Sequence, residues 1–164
     1  MDNITKDEYY LEIAKAVAKK STCLRRKFGA VIVVNDAIVS TGYNGPARGV
    51  INCNKVGCIK DMLKLPHYSS YDYCIAVHAE ENAVINAARN GTKVSGGILY
   101  IYGETKDGKP TASHPCDRCK RVLINSGIEK VITKDENGEI VIYNVNDWIK
   151  YDTEQYIKRI KKVK

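Results

Sequence analysis

Two short segments of this 164-residue chain hold three residues able to bind a soft divalent metal and one carboxylate able to move protons. The first is His78-Ala79-Glu80 and the second is Pro115-Cys116-Asp117-Arg118-Cys119. Imidazole and thiolate are ligands that Zn²⁺ takes readily, and a zinc ion that does chemistry keeps three protein ligands and an open position for water. His78, Cys116 and Cys119 make up that count. Water activated in this way needs a neighbouring group that takes its proton and hands it to a leaving group, which a carboxylate can do. Glu80 is the candidate. The implied chemistry is hydrolysis. A lone C-x-x-C also occurs in structural zinc sites, and H-x-E alone is ordinary at a helix start. The joint occurrence, each segment opening a helix with a strand between them, points to a catalytic centre.

The flanking elements must deliver these side chains to one place. Glu80 to Gly91 reads as a helix, with apolar Ala83, Val84, Ala87 and Ala88 on one side and Gly91 as its stop. Two residues along a helix rotate a side chain by roughly 200°, so His78 and Glu80 converge only if His78 sits at or before the first turn. Ile98-Leu99-Tyr100-Ile101-Tyr102 lacks polar alternation and reads as a central, doubly buried strand. A turn-rich Lys106-Asp107-Gly108-Lys109-Pro110 follows, and Pro115 then opens a helix that runs to Ser126-Gly127. Cys116 and Cys119, three apart at that helix start, project the same way, and the helix N-terminus favours their ionised form.

Elsewhere, Thr5-x-x-Glu8 forms a capping box for an amphipathic helix through Ala18. Ala30–Val34, Asn35-Asp36 and Ala37–Thr41 read as a hairpin, and Gly42-Tyr43-Asn44-Gly45-Pro46 ends its second strand in a loop. The stretch to about Asp72 has no clear period. Lys130–Thr133 and Ile140–Tyr143, joined at Asn137-Gly138, are further strands, and a closing helix places Ile149, Tyr156, Ile157 and Ile160 on one face. Strands alternating with helices imply an α/β sheet covered on both sides.

A hydrophobic content of 44% over 164 residues suits one domain, 1–164, with a substantial core, and is too short for two ordinary ones. No signal-like N-terminus and no apolar run of about 18 residues is present, so a soluble cytoplasmic protein is expected, without a membrane partner. The net charge of +7 is concentrated, since Lys158, Arg159, Lys161, Lys162 and Lys164 all lie in the last seven positions. The remaining body is close to neutral, which argues against a nucleic-acid groove. Six cysteines without a secretion signal read as metal ligands or reduced thiols. Cys23, Cys53, Cys58 and Cys74 are left to account for.

The pairing of H-x-E with P-C-x-x-C resembles the signature of the zinc-dependent nucleobase deaminases. Ser21 to Val33, Ser40-Thr41-Gly42-Tyr43-Asn44-Gly45-Pro46, His78 to Ala83 and Pro115-Cys116-x-x-Cys119 resemble one branch in particular, the deoxycytidylate (dCMP) deaminases, including the late-competence-operon type. The resemblance spans most of residues 1–132. It implies a three-layer α/β/α sandwich around a five-stranded mixed sheet and hydrolysis of dCMP to dUMP and ammonia. It assigns zinc to His78, Cys116 and Cys119, proton shuttling to Glu80, sugar and phosphate contacts to Asn44 and Arg26, and base-edge recognition to the backbone of Ala79. It further implies a homohexamer activated by dCTP and inhibited by dTTP, with Gly42, Tyr43, Asn44 and Gly45 at the allosteric nucleotide and Mg²⁺ accompanying that nucleotide. A second, structural zinc on Cys23, Cys53, Cys58 and Cys74, with His67 as a substitute, is implied by some members of the branch. The chain departs from many members by inserting Glu104 to Ser113 before Pro115, which opens the identity of the preferred nucleotide. The alternatives are a zinc deaminase of dCTP, of cytidine or deoxycytidine, or of a tRNA adenosine, and a non-catalytic zinc-stabilised binding module.

Overall fold

In the computed structural model, which describes residues 3–163, a five-stranded mixed sheet has the order β2-β1-β5-β6-β7. Its strands are β1 (Arg26–Val34), β2 (Ala37–Tyr43), β5 (Ile98–Thr105), β6 (Lys130–Lys134) and β7 (Ile140–Asn144). All neighbours pair antiparallel except β5 and β6, which run parallel with the helix α5 (Asp117–Ser126) crossing between them. The apolar run at β5 lies in the middle of the sheet, as its lack of polar alternation requires.

Alternation along each strand sends side chains to two cores. On one face, Ala30, Ile32, Leu99, Ile101 and Val131 are buried against α4 (Ala79–Arg89), α5 and the first turn of α6 (Val145–Val163). On the other, Val31, Val33, Tyr100, Tyr102 and Ile132 pack on Tyr10, Leu11, Ala14 and Ala18 of α1 (Lys6–Ala18). Thr5 and Glu8 make both capping-box bonds at the start of α1. The hairpin turns at Asn35 and Asp36, both with positive φ (49° and 61°), the backbone a two-residue turn of this hand needs.

One expectation needs correction, and one helix face turns out uncovered. The loop from Gly42 and the stretch without a period hold regular structure: β3 (Gly45–Pro46) pairs with β4 (Ala76–Val77), and single-turn helices α2 (Cys53–Val56) and α3 (Ile59–Met62) lie between them. Such short elements leave no periodicity to read. In α6, Ile149, Tyr156, Ile157 and Ile160 are all exposed, and Val145 and Trp148 alone of this helix join the core. Past its first turns the helix has left the sheet.

Candidate active site

The two ligand segments meet because α4 and α5 both pack on the same face of the sheet. His78 is the N-cap of α4 and Cys116 the N-cap of α5, both in extended backbone (φ −73°, ψ 156° and φ −69°, ψ 166°). His78 is thus just outside the helix, as convergence with Glu80 requires. His78 Nδ1 lies 3.5 Å from Cys116 Sγ and 3.3 Å from Cys119 Sγ. Among the described residues, these three form the only group of potential ligands whose donor atoms all lie within 4.8 Å of one another. One nitrogen and two sulfurs so gathered fit a zinc ion. The S–H of Cys119 and the ring of His78, both bonded to Cys116, hold that thiol well below its usual range. Cys119, the donor, is pushed up.

Glu80 lines the same cavity and is 7% exposed. Burial pushes its carboxyl up to about 7, although His78 pulls it back down. Tyr71 sets its ring edge-on to His78 at 5.3 Å between centroids. Burial, and then the charge of Cys116, pushes the Tyr71 phenol up to about 12, so it stays an O–H donor in the cavity.

Away from the metal donors the cavity, about 140 Å³, becomes basic. Lys60 is 6% exposed; its ammonium donates to the Ser69 carbonyl and lies 5.5 Å from the Tyr71 ring centroid, with no carboxylate in ion-pair reach among the described residues. Arg25 pairs with Asp61 at 3.1 Å through Nε and donates to Leu65 O through Nη2. Its buried Nη1 has no hydrogen-bond partner among the described residues. His67 lies close to all three neighbouring cations: burial, then Arg26, Arg25 and Lys60, push its pKa down. Arg25, Lys60 and Tyr71 were not singled out from sequence. They come from segments up to 46 positions apart, and the α3 region that carries Lys60 has no pattern to flag it.

Arg26 also lines the cavity, but its guanidinium donates to Tyr68 Oη at 2.7 Å and lies over that ring at 5.2 Å. Tyr68 in turn stacks on His114 at 6.0 Å and reaches the Ala112 carbonyl. The inserted segment thus folds back along β5, with Thr111 bonded to Gly103, and brings Ser113 and His114 to the cavity wall. The Asn44 side chain lines the cavity and is buried; its Oδ1 accepts from Phe28 N–H at 2.8 Å and its Nδ2 donates to Arg26 O at 3.0 Å. Ala79 is fully buried and begins α4. Gly42 packs so closely on α4 that a Cβ would meet Ala83 N at 2.3 Å and Ala79 O at 2.4 Å. The Gly42–Gly45 segment is therefore no open loop: Gly42 seats a helix, the Tyr43 carbonyl accepts from Asn82, and Asn44 and Gly45 face the cavity. Cys23, Cys53, Cys58 and Cys74 are unbridged and line this cavity, but they do not reach the ligand spacing of the first group. Burial, with the nearby Cys23, Cys58 and Cys74, pushes the Cys53 thiol up.

A mixed sheet with two helix starts presenting His, Cys and Cys beside a buried glutamate defines a zinc deaminase site and fold. The model of the cytidine and deoxycytidylate deaminase zinc-binding region matches residues 4–134, and the chain belongs to that family. It is 34% identical over 126 residues to a deoxycytidylate deaminase of Schizosaccharomyces pombe, covering 77% of this chain and 36% of that one. To the deoxycytidylate deaminase of Mycobacterium phage D29 it is 36% identical over 136 residues, covering 80% of this chain and 95% of that one. The chain thus spans about a third of the yeast relative and nearly all of the phage one. Among solved structures, dCMP deaminase from the cyanophage S-TIM5 in complex with dCMP and dUMP superposes with a TM-score of 0.58 and 25% identity, covering 81% of this chain and 85% of that one. Among the described residues, no helix is long and apolar enough to cross a membrane.

Proposed function

We propose that this chain is a zinc-dependent hydrolase that converts dCMP and water to dUMP and ammonia, with its 164 residues acting as one deaminase unit. The carrying observation is a buried Glu80 carboxyl that shares a cavity with three zinc-type donors. His78, Cys116 and Cys119 would hold the zinc, which supplies Lewis acidity that makes a water nucleophilic at neutral pH. Glu80 would take a proton from the attacking water and pass it to the base. Of the two water protons, one ends on the ring nitrogen beside the reacting carbon and the other on the departing amine, while the oxygen stays on carbon. With its pKa raised by burial to about 7, Glu80 is partly ionised near neutral pH, so it can accept a proton as the carboxylate and hold it as the acid between these transfers.

The basic end of the cavity supports a phosphate-bearing substrate. Among the described residues, a buried Lys60 has no counter-ion and a buried Arg25 Nη1 has no partner, and a phosphomonoester would supply both. The deoxycytidylate deaminase relatives and the dCMP-bound neighbour support the same base and phosphate count. The grouping of Cys23, Cys58 and Cys74 around Cys53 supports a second, structural zinc, for which the sulfurs would have to draw closer than they stand. A count of two zinc ions per chain is expected, and a count of one would remove that part.

The test is a panel of dCMP, CMP, dCTP, deoxycytidine and cytosine followed by ultraviolet absorbance. dCMP is expected to lead in kcat/KM. Preference for dCTP or deoxycytidine would overturn the phosphate reading, and no loss of amine from any of them would leave a non-catalytic zinc module. The same assay with dCTP and dTTP added, and the molar mass in solution, check the regulation and the hexamer that the resemblance implies.

A further inference from the structure

Glu80 and Glu81 are adjacent but do different things. About 100° of helix rotation separates them. Glu80 faces the cavity, while Glu81 turns toward α5, where its carboxylate accepts two bonds from Arg118, at 2.8 Å from Nε and 3.0 Å from Nη2. The same carboxylate accepts the His78 backbone N–H at 3.3 Å. The Glu81 side chain is 9% exposed and that of Arg118 is 60%. One carboxylate therefore touches the main chain of one metal donor and one of the two residues lying between the other two.

We infer that Glu81 and Arg118 are positioning residues for the metal centre: their two-bond ion pair fixes the register of the α4 start against the α5 start, and so the spacing of His78 to Cys116 and Cys119. The inference rests on the zinc reading above. A forked arginine–carboxylate pair constrains direction as well as distance, which a single contact does not. Loss of the pair would free the first turn of α5 to shift, and loss of the Glu81 carboxylate would in addition weaken the bond that holds the His78 N–H. Groups that orient metal ligands in this way typically change metal affinity or activity about 10–100-fold when removed.

The experiment measures zinc affinity by competition with a coloured chelator, and the visible spectrum of the Co²⁺-substituted protein, for Glu81→Gln, Arg118→Ala, Arg118→Lys and the Glu81→Gln/Arg118→Ala double variant. Each of Glu81→Gln and Arg118→Ala is expected to weaken zinc about 10–100-fold and to shift the cobalt bands. The double variant should be no worse than the weaker single, since both remove one pair. Arg118→Lys keeps the charge and loses the fork, so it should recover only part of the loss. Unchanged affinity and spectrum in Arg118→Ala would overturn the inference, as would losses that multiply in the double variant. Should Glu81→Gln fail to fold, the exposed Arg118 variants decide the matter alone. A parent chain that binds no zinc overturns the zinc reading itself, whereas a zinc-binding parent with unaffected variants overturns this inference only.

Discussion

Glu80→Gln removes the proton acceptor without removing a metal donor, so the variant should keep its fold and its zinc while kcat falls by about 10²–10⁴-fold. Metal analysis beside steady-state kinetics checks this; a variant as fast as the parent would mean that another group carries the proton. Lys60→Met should raise KM for dCMP about 10–100-fold and leave that for deoxycytidine unchanged, because a charged hydrogen bond to phosphate contributes about 1.5–3 kcal/mol. Equal losses on both substrates would place Lys60 elsewhere in the chemistry. The metal donors and Glu80 were legible in the chain because each pair lies within a few positions of a helix start, where local geometry aims the side chains. Arg25, Lys60, Tyr71 and the Glu81–Arg118 pair were not, since each acquires its role from a partner brought close only by the fold. Arg26 illustrates the converse, for its guanidinium is drawn to Tyr68 within the cavity.

At the scale of elements, the site depends on how tightly α4 sits on β2. Gly42→Ala places a methyl carbon 2.3 Å from Ala83 N and 2.4 Å from Ala79 O, atoms of backbone that cannot swing aside. The helix must move, at a cost of about 1–3 kcal/mol or more. We expect a lower Tm together with reduced turnover, because α4 carries His78 and Glu80 with it. A variant with parental Tm and kcat would show that α4 has slack here. Capping at Thr5 and Glu8, the stop after α5 at Gly127 (φ 77°) and the turn at Gly138 (φ 82°) follow from local rules and were readable. The β3–β4 ribbon and the single-turn helices α2 and α3 were not. Two-residue strands and one-turn helices are held by what they pack against, and their sequence has no period of its own. The exposure of the α6 stripe was likewise beyond the sequence: a helical apolar stripe identifies a face but not whether a neighbour covers it.

The whole molecule divides its stability between two cores on opposite faces of one sheet, neither of which contains His78 or Cys116. Chelation of the catalytic zinc should therefore abolish turnover while the far-ultraviolet circular dichroism stays near the parental spectrum, with activity returning on addition of Zn²⁺. Tm should fall, because a ligand bound only by the native state stabilises it by mass action. Global unfolding on chelation would instead make metal a condition of the fold. The layered architecture was legible as a whole, since the order of strands and helices limits how one sheet can be covered. The measurement that bears most directly on the central claim is the ultraviolet absorbance of dCMP incubated with the zinc-loaded chain, paired with an ammonia assay. We predict loss of the cytosine spectrum with one ammonia and one dUMP formed per dCMP consumed, and little loss with Glu80→Gln. Zinc-loaded, folded protein that leaves dCMP unchanged would contradict it.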